Sequence, residues 1–139
     1  MKRFLLLIPI LALLLLPVGC MDAEAMEQDV IDNIMQQATG NYTIKVSGTV
    51  GLYFTGEYEA YFYEVDPQTY VLYYTFSEFP VEGQVPAEYT FEAMVALGFF
   101  QKQTGDETLL RVELWKDGVL QDSASTTDPW GAVMAAGGL

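Results

Sequence analysis

Glu57 and Glu59 stand two residues apart. In a β-strand that spacing turns both side chains to one face, with Cα atoms about 7 Å apart. Paired carboxylates near this separation serve glycoside hydrolysis or hold calcium. The partners that either chemistry needs are missing from the sequence: no Asp-rich loop supplies enough oxygens, and no polar cleft signature accompanies the pair. The pair is therefore expected on a solvated strand face, and Asp106, Glu107 and Asp117 are expected in turns. The chain has no histidine and a single cysteine, Cys20. That excludes a Ser-His-Asp or Cys-His pair, the usual zinc sites and any intrachain disulfide. No catalytic residue, metal or cofactor is expected, and the chain reads as a non-enzyme.

Cys20 carries the sharper signal. Lys2 and Arg3 form a basic n-region, and Phe4 to Val18 is an apolar run interrupted only by Pro9 and Pro17. As a helix at about 1.5 Å per residue the run would span roughly 22 Å, short of the roughly 30 Å bilayer core. A signal peptide fits better than a permanent span. The run closes on Pro17-Val18-Gly19-Cys20, which resembles the bacterial or archaeal lipobox, where the thiol is acylated and the chain is cut before it. Pro17 stands where that pattern usually has Leu. The expected organisation is a lipoprotein signal peptide over 1–19, a lipid-anchored tether over 20–40 and a β-domain over 41–139. The domain would sit on the extracytoplasmic side of a cell membrane. An ordinary secretory signal or an uncleaved anchor are the alternatives.

Loss of residues 1–19 removes two bases and no acids, leaving 4 basic and 19 acidic residues, a formal charge of −15. This charge argues against nucleic acid as a partner, because phosphate binding needs clustered Lys and Arg. It also argues against adsorption to anionic headgroups through a basic patch. The acids read as a solubilising coat, or as a surface that attracts cations or a basic partner.

The aromatics supply the candidate binding face. Tyr58, Tyr61, Phe62 and Tyr63 fall on both faces of one expected strand; Tyr70, Tyr73, Tyr74 and Phe76 do the same on its hairpin partner. A sandwich strand needs only one apolar face. The second is either covered by a helix or loop, left as a wet tyrosine surface, or used to meet a partner, a ligand or another copy. Asn41-Tyr42-Thr43 matches the glycosylation sequon and makes Asn41 a candidate modification site.

These groups need strands to position them. Met26, Val30, Ile31, Ile34, Met35 and Ala38 recur at helical spacing, with Gly40 as a C′ stop. A short helix or a partly ordered tether is expected there. From Tyr42 the period becomes two, with Tyr42, Ile44, Val46 and Val50 alternating with polar residues. A second β segment covers Leu52 to Val65, bent or broken near Gly56. Asp66-Pro67-Gln68-Thr69 turns the chain into a strand over Tyr70 to Ser77. Pro80, Gly83 and Pro86 mark a loop. Tyr89 to Leu97 alternates and is extended to Gln103, with Tyr89, Phe91, Ala93, Val95 and Leu97 in phase. Asp117-Gly118 joins Thr108–Lys116 to Val119–Ser125 as a tight hairpin, and Trp130 to Ala136 closes the domain. About seven antiparallel strands with turns every ten residues or so describe an all-β sandwich.

The C-terminal segments Leu110–Gln121 (LRVELWKDGVLQ) and Ser123–Leu139, with the opening Tyr42–Gly48 (YTIKVSG), resemble small exported β-sandwich proteins. The type is the mycobacterial small membrane protein (MmpS-type) family, with similar domains in lipoproteins of other bacteria and archaea. The resemblance covers most of residues 42–139. It implies an immunoglobulin-like sandwich without enzymatic activity, working as an accessory partner of a membrane transporter. The chain departs from that family in having a lipobox in place of a transmembrane anchor and in the aromatic richness of Glu57 to Gln84. The expected function is a lipid-anchored envelope module that binds protein or self-associates. The alternative is a lipid- or sugar-binding lipoprotein.

Overall fold

The computed structural model describes residues 30, 33, 35–66, 68, 69 and 71–138. Among these residues there are eight strands: β1 (Gly40–Gly48), β2 (Tyr53–Val65), β3 (Leu72–Gln84), β4 (Ala87–Ala93), β5 (Val95–Lys102), β6 (Leu110–Lys116), β7 (Val119–Thr126) and β8 (Ala132–Gly138). They pair into two four-stranded antiparallel sheets, in the orders β4-β1-β6-β7 and β3-β2-β5-β8. The expected all-β antiparallel sandwich is present. Like the B–E and C–F pairs of immunoglobulin domains, β1–β4 in one sheet interlocks with β2–β5 in the other. The place beside β1 that a first strand holds in that fold belongs here to β6.

Alternation decides which side chains fill the space between the sheets. Tyr42, Ile44 and Val46 of β1, Leu110, Val112 and Leu114 of β6, Phe54 and Ala60 of β2, Ala96 and Phe100 of β5, and Val133 and Ala135 of β8 are all buried. Burial of this kind stabilises a domain by about 25 cal/mol per Å² of apolar surface removed from water. The β3–β4 side is wedged by rings. Tyr58 stacks on Phe79 at 4.8 Å and on Phe91 at 4.6 Å between centroids.

Five expectations about the elements change, the last of them at Trp130. Tyr89 to Gln103 is not one strand. The chain breaks at Met94 and passes from one sheet to the other, which makes eight strands where about seven were expected. The alternation also shifts by one residue there, so that Ala96, Gly98 and Phe100 are buried and Val95 and Leu97 lie on the outer face. A buried residue at the crossover resets the phase without an exposed loop. β2 runs unbroken through Gly56, where a Cβ would sit 2.3 Å from the Phe99 carbonyl oxygen; the glycine serves close strand approach, not a bend. Pro80 and Gly83 lie inside β3, a sheet-edge strand in which proline forfeits no ladder bond. Gly40 opens β1 rather than ending a helix in the left-handed conformation.

Two turns are as expected. Asp117 and Gly118 both take positive φ (49° and 79°), as a two-residue hairpin requires. Asp66 Oδ1 accepts the backbone N–H groups of Gln68 and Thr69. Within the expected helix, residues 35–38 are helical. Lys116 Nζ donates to the Ala38 carbonyl at 2.8 Å and ties this segment to β6. Trp130, expected to open the last strand, instead sits before it in a turn with φ 58°.

Candidate binding face

The outer surfaces of the two sheets differ in kind. On the β4-β1-β6-β7 sheet the outward positions are Glu88, Thr90 and Glu92, then Thr43, Lys45 and Ser47, then Arg111, Glu113 and Trp115, and on β7 Ser125, Ser123 and the exposed Leu120. Arg111 pairs with Glu113 at 2.7 Å, and the Lys45 ammonium lies 5.0 Å from the Trp115 ring centre. This is a water-facing surface whose one large ring is occupied by a cation.

The β3-β2-β5-β8 sheet turns outward a different set. Tyr61 faces Phe76 and Tyr63 faces Tyr74 across the β2–β3 pair. Tyr61 stacks on Phe76 at 5.5 Å, and Tyr74 lies 6.2 Å from Tyr61 and 6.4 Å from Phe76. The same face continues through Leu97 and Phe99 of β5 to Met134 of β8. Tyr74 is 60% exposed, Phe76 50% and Met134 55%, which is unusual for side chains that gain from burial. Glu57, Glu59 and Glu78 share this face, Glu59 directly opposite Glu78. Of the four basic residues after residue 20, Lys102 is buried and the other three belong to β1 and β6. The aromatic face thus carries acids and no cation.

The eight aromatics singled out from sequence divide. Tyr61, Tyr63, Tyr74 and Phe76 share the outer face. Tyr58 and Phe62 turn inward, packed against the core. Tyr73 is on the inward side of β3 but beyond the end of the sandwich, where its hydroxyl donates to Glu64 at 2.5 Å. Tyr70 lies outside the described residues, as does Cys20. Phe76, in phase with Tyr74, completes the outer cluster. Leu97, Phe99 and Met134 could not be placed there until β5 and β8 were known to flank β2.

Hydroxyl chemistry follows from these neighbours. Tyr61 hydrogen-bonds to Glu59, and that bond, above all other causes, pushes the Tyr61 pKa up to about 12. Tyr73 is raised from its ordinary value by its bond to Glu64. Glu57 and Glu59 share a face as expected, and Glu57 is exposed to solvent. Asp106 and Glu107 fall between β5 and β6, and Asp117 in the β6–β7 turn, as expected. Asn41 is exposed in β1, with its backbone N–H donated to Asp117. Among the described residues no group of acids, His or Cys is arranged to hold a metal ion, and no helix is long and apolar enough to cross a membrane.

Lys102 is the feature that sequence reasoning missed. It is fully buried at the end of β5, and its Nζ donates to the carbonyls of Asp106 (2.7 Å) and Thr127 (3.3 Å). At the same end of the sandwich an open groove of about 520 Å³ lies among Tyr53, Phe54, Thr55, Glu82, Gly83 and Gln103. None of the eight candidate aromatics lines it.

No family model matches this chain, and comparison with curated proteins finds no match. Nothing in these comparisons identifies the MmpS-type family that the closing hairpin resembles.

Proposed function

We propose that the chain is a lipid-anchored, non-catalytic envelope module that docks a membrane protein through the outer face of the β3-β2-β5-β8 sheet. One observation carries this reading: the outer surface of one sheet is mostly polar and includes an ion pair, whereas that of the other is aromatic and carries carboxylates with no cation beside them. Interface centres are enriched in aromatic residues and Met relative to the rest of a protein surface. Tyr61, Tyr74, Phe76, Phe99 and Met134 form such a set. Glu57, Glu59 and Glu78 beside them call for a partner that combines apolar with basic side chains. The lipobox-like Pro17–Cys20 supports work at a membrane, and the resemblance to transporter-accessory sandwiches supports the class of partner.

The test is crosslinking in the native membrane. Tyr61→Ala combined with Tyr74→Ala removes the centre of the face while leaving the core residues in place. A crosslinked complex should be lost from the double mutant and retained by Thr43→Ala on the opposite sheet. Undiminished crosslinking in a folded double mutant would sink the proposal.

A further inference from the structure

We infer that the tip of the β2–β3 hairpin rests on the lipid surface, so that the sandwich stands upright with its aromatic face turned sideways along the membrane. This rests on the proposed lipid anchor at Cys20. β2 and β3 are each 13 residues long, but β5 pairs with β2 only from Phe54 to Tyr61. Phe62 still packs against the core, and Tyr63–Val65 with their partners Leu72–Tyr74 overhang the sandwich by about 10 Å, at about 3.3 Å per residue.

The overhang leaves from the end at which the chain arrives. Gly40 opens β1 opposite Ala93. The next residue, Met94, donates its N–H to the Tyr61 carbonyl, accepts the Tyr63 N–H on Sδ, and accepts the Tyr42 hydroxyl on its own carbonyl. The Lys116–Ala38 bond holds the arriving segment at this same end. Cys20 lies twenty residues before Gly40, a reach of at most about 70 Å, and the tether enters the domain at the end from which the overhang projects.

The tip has the chemistry of an interfacial contact. Val71 is 58% exposed, Leu72 56% and Tyr73 44%, next to Tyr74. Its acids are engaged within the hairpin: Glu64 by the Tyr73 hydroxyl and Asp66 by the turn N–H groups. Tyrosine with flanking aliphatic residues suits the headgroup boundary, where the ring is shielded and the hydroxyl stays wet. The tip has no basic residue, so the contact is apolar and owes nothing to anionic lipid.

The experiment uses the full lipidated chain with Val71→Cys labelled by an environment-sensitive fluorophore, reconstituted into phosphatidylcholine vesicles. The emission should shift to the blue and be quenched by nitroxide-labelled lipid, several-fold more than for a label at Ser125→Cys on the opposite sheet. Adding Leu72→Asp and Tyr74→Asp should abolish the quenching while the protein still floats with the vesicles. A Val71 label that stays water-exposed on vesicle-bound protein overturns the inference and leaves the anchor standing. A blue shift that appears equally without lipid and grows with protein concentration indicates a second copy and also overturns it. Protein that does not float with vesicles removes the anchor, and the inference with it.

Discussion

Tyr58 and Phe91 stack across the two sheets at 4.6 Å between ring centres. Their contact closes the side of the sandwich where the edge strands β3 and β4 stand. Phe79 lies against the same tyrosine ring at 4.8 Å, Tyr89 at 5.5 Å, and Phe91 reaches Tyr42 at 6.0 Å. Aromatic pairs of this kind add about 1 kcal/mol each beyond the area they bury. Tyr58→Ala is therefore expected to cost about 3 kcal/mol, since it opens a cavity among rings that cannot collapse onto one another. Tyr58→Phe keeps the ring and should cost under about 1.5 kcal/mol. Urea denaturation of the two variants, followed by circular dichroism, measures the difference.

Lys102 joins three segments with one buried ammonium group. It ends β5 and donates to carbonyls of the β5–β6 loop and of Thr127. Lys102→Met preserves most of the volume but leaves those carbonyls without a donor. A fully buried acceptor left without a donor costs about 1–3 kcal/mol; these two bonds are only part-buried, so a destabilisation of about 1 kcal/mol is expected. The loss should be local as well as global, with faster hydrogen exchange at Thr108 and Leu109 and earlier proteolysis between Gln103 and Leu109. Unchanged exchange in this loop would show that the ammonium is not what holds it.

The strand pattern was legible because one-sided burial imposes a period of two, and Tyr42–Val46 display it without ambiguity. The Asp117-Gly118 turn was legible because few residue pairs tolerate positive φ twice in succession. Proline and glycine were misread for one physical reason. Pro80 breaks a central strand but not an edge strand, and Gly56 marks a bend unless a neighbouring backbone comes close. Local sequence holds neither fact. The phase shift at Met94 was hidden because Val95 and Leu97 are as apolar as Ala96 and Phe100, so alternation there has no polar register to reveal it. The same apolarity is what gives the candidate face its extent. A segment that is greasy on both sides reads ambiguously from sequence, and its outer side is the surface with chemistry left to account for.

Two tyrosines are predicted to titrate late, for different reasons. Tyr42 is fully buried, its hydroxyl donates to the carbonyls of Met94 and Gly137, and burial followed by the nearby Asp117 raises its pKa above the ordinary 10. Above pH 10 the unfolded chain releases this proton and the folded one retains it. Stability should therefore fall as pH rises through that range, and Tyr42→Phe should blunt the fall. Tyr61 is held up to about 12 chiefly by Glu59. Glu59→Gln should return it toward the ordinary value with the fold intact. Phenolate absorbance, read beside far-ultraviolet circular dichroism, separates the two cases. If Glu59→Gln leaves the late titration unchanged, the Glu59 bond is not its cause.

Cys20 is the sole cysteine, so replacing it cannot remove a disulfide from the domain. The strands begin at Gly40, twenty residues further on, and no described contact depends on the thiol. Cys20→Ser is therefore expected to leave the denaturation midpoint of the domain within error of the wild type while abolishing lipid attachment. Fractionation should then find the mutant in the periplasm or medium, and metabolic labelling with a fatty-acid analogue should mark the wild type alone. Retention of Cys20→Ser in the membrane would mean that the apolar run from Phe4 to Val18 is kept as an anchor. The aromatic face would still be carried to the membrane, but by a different device.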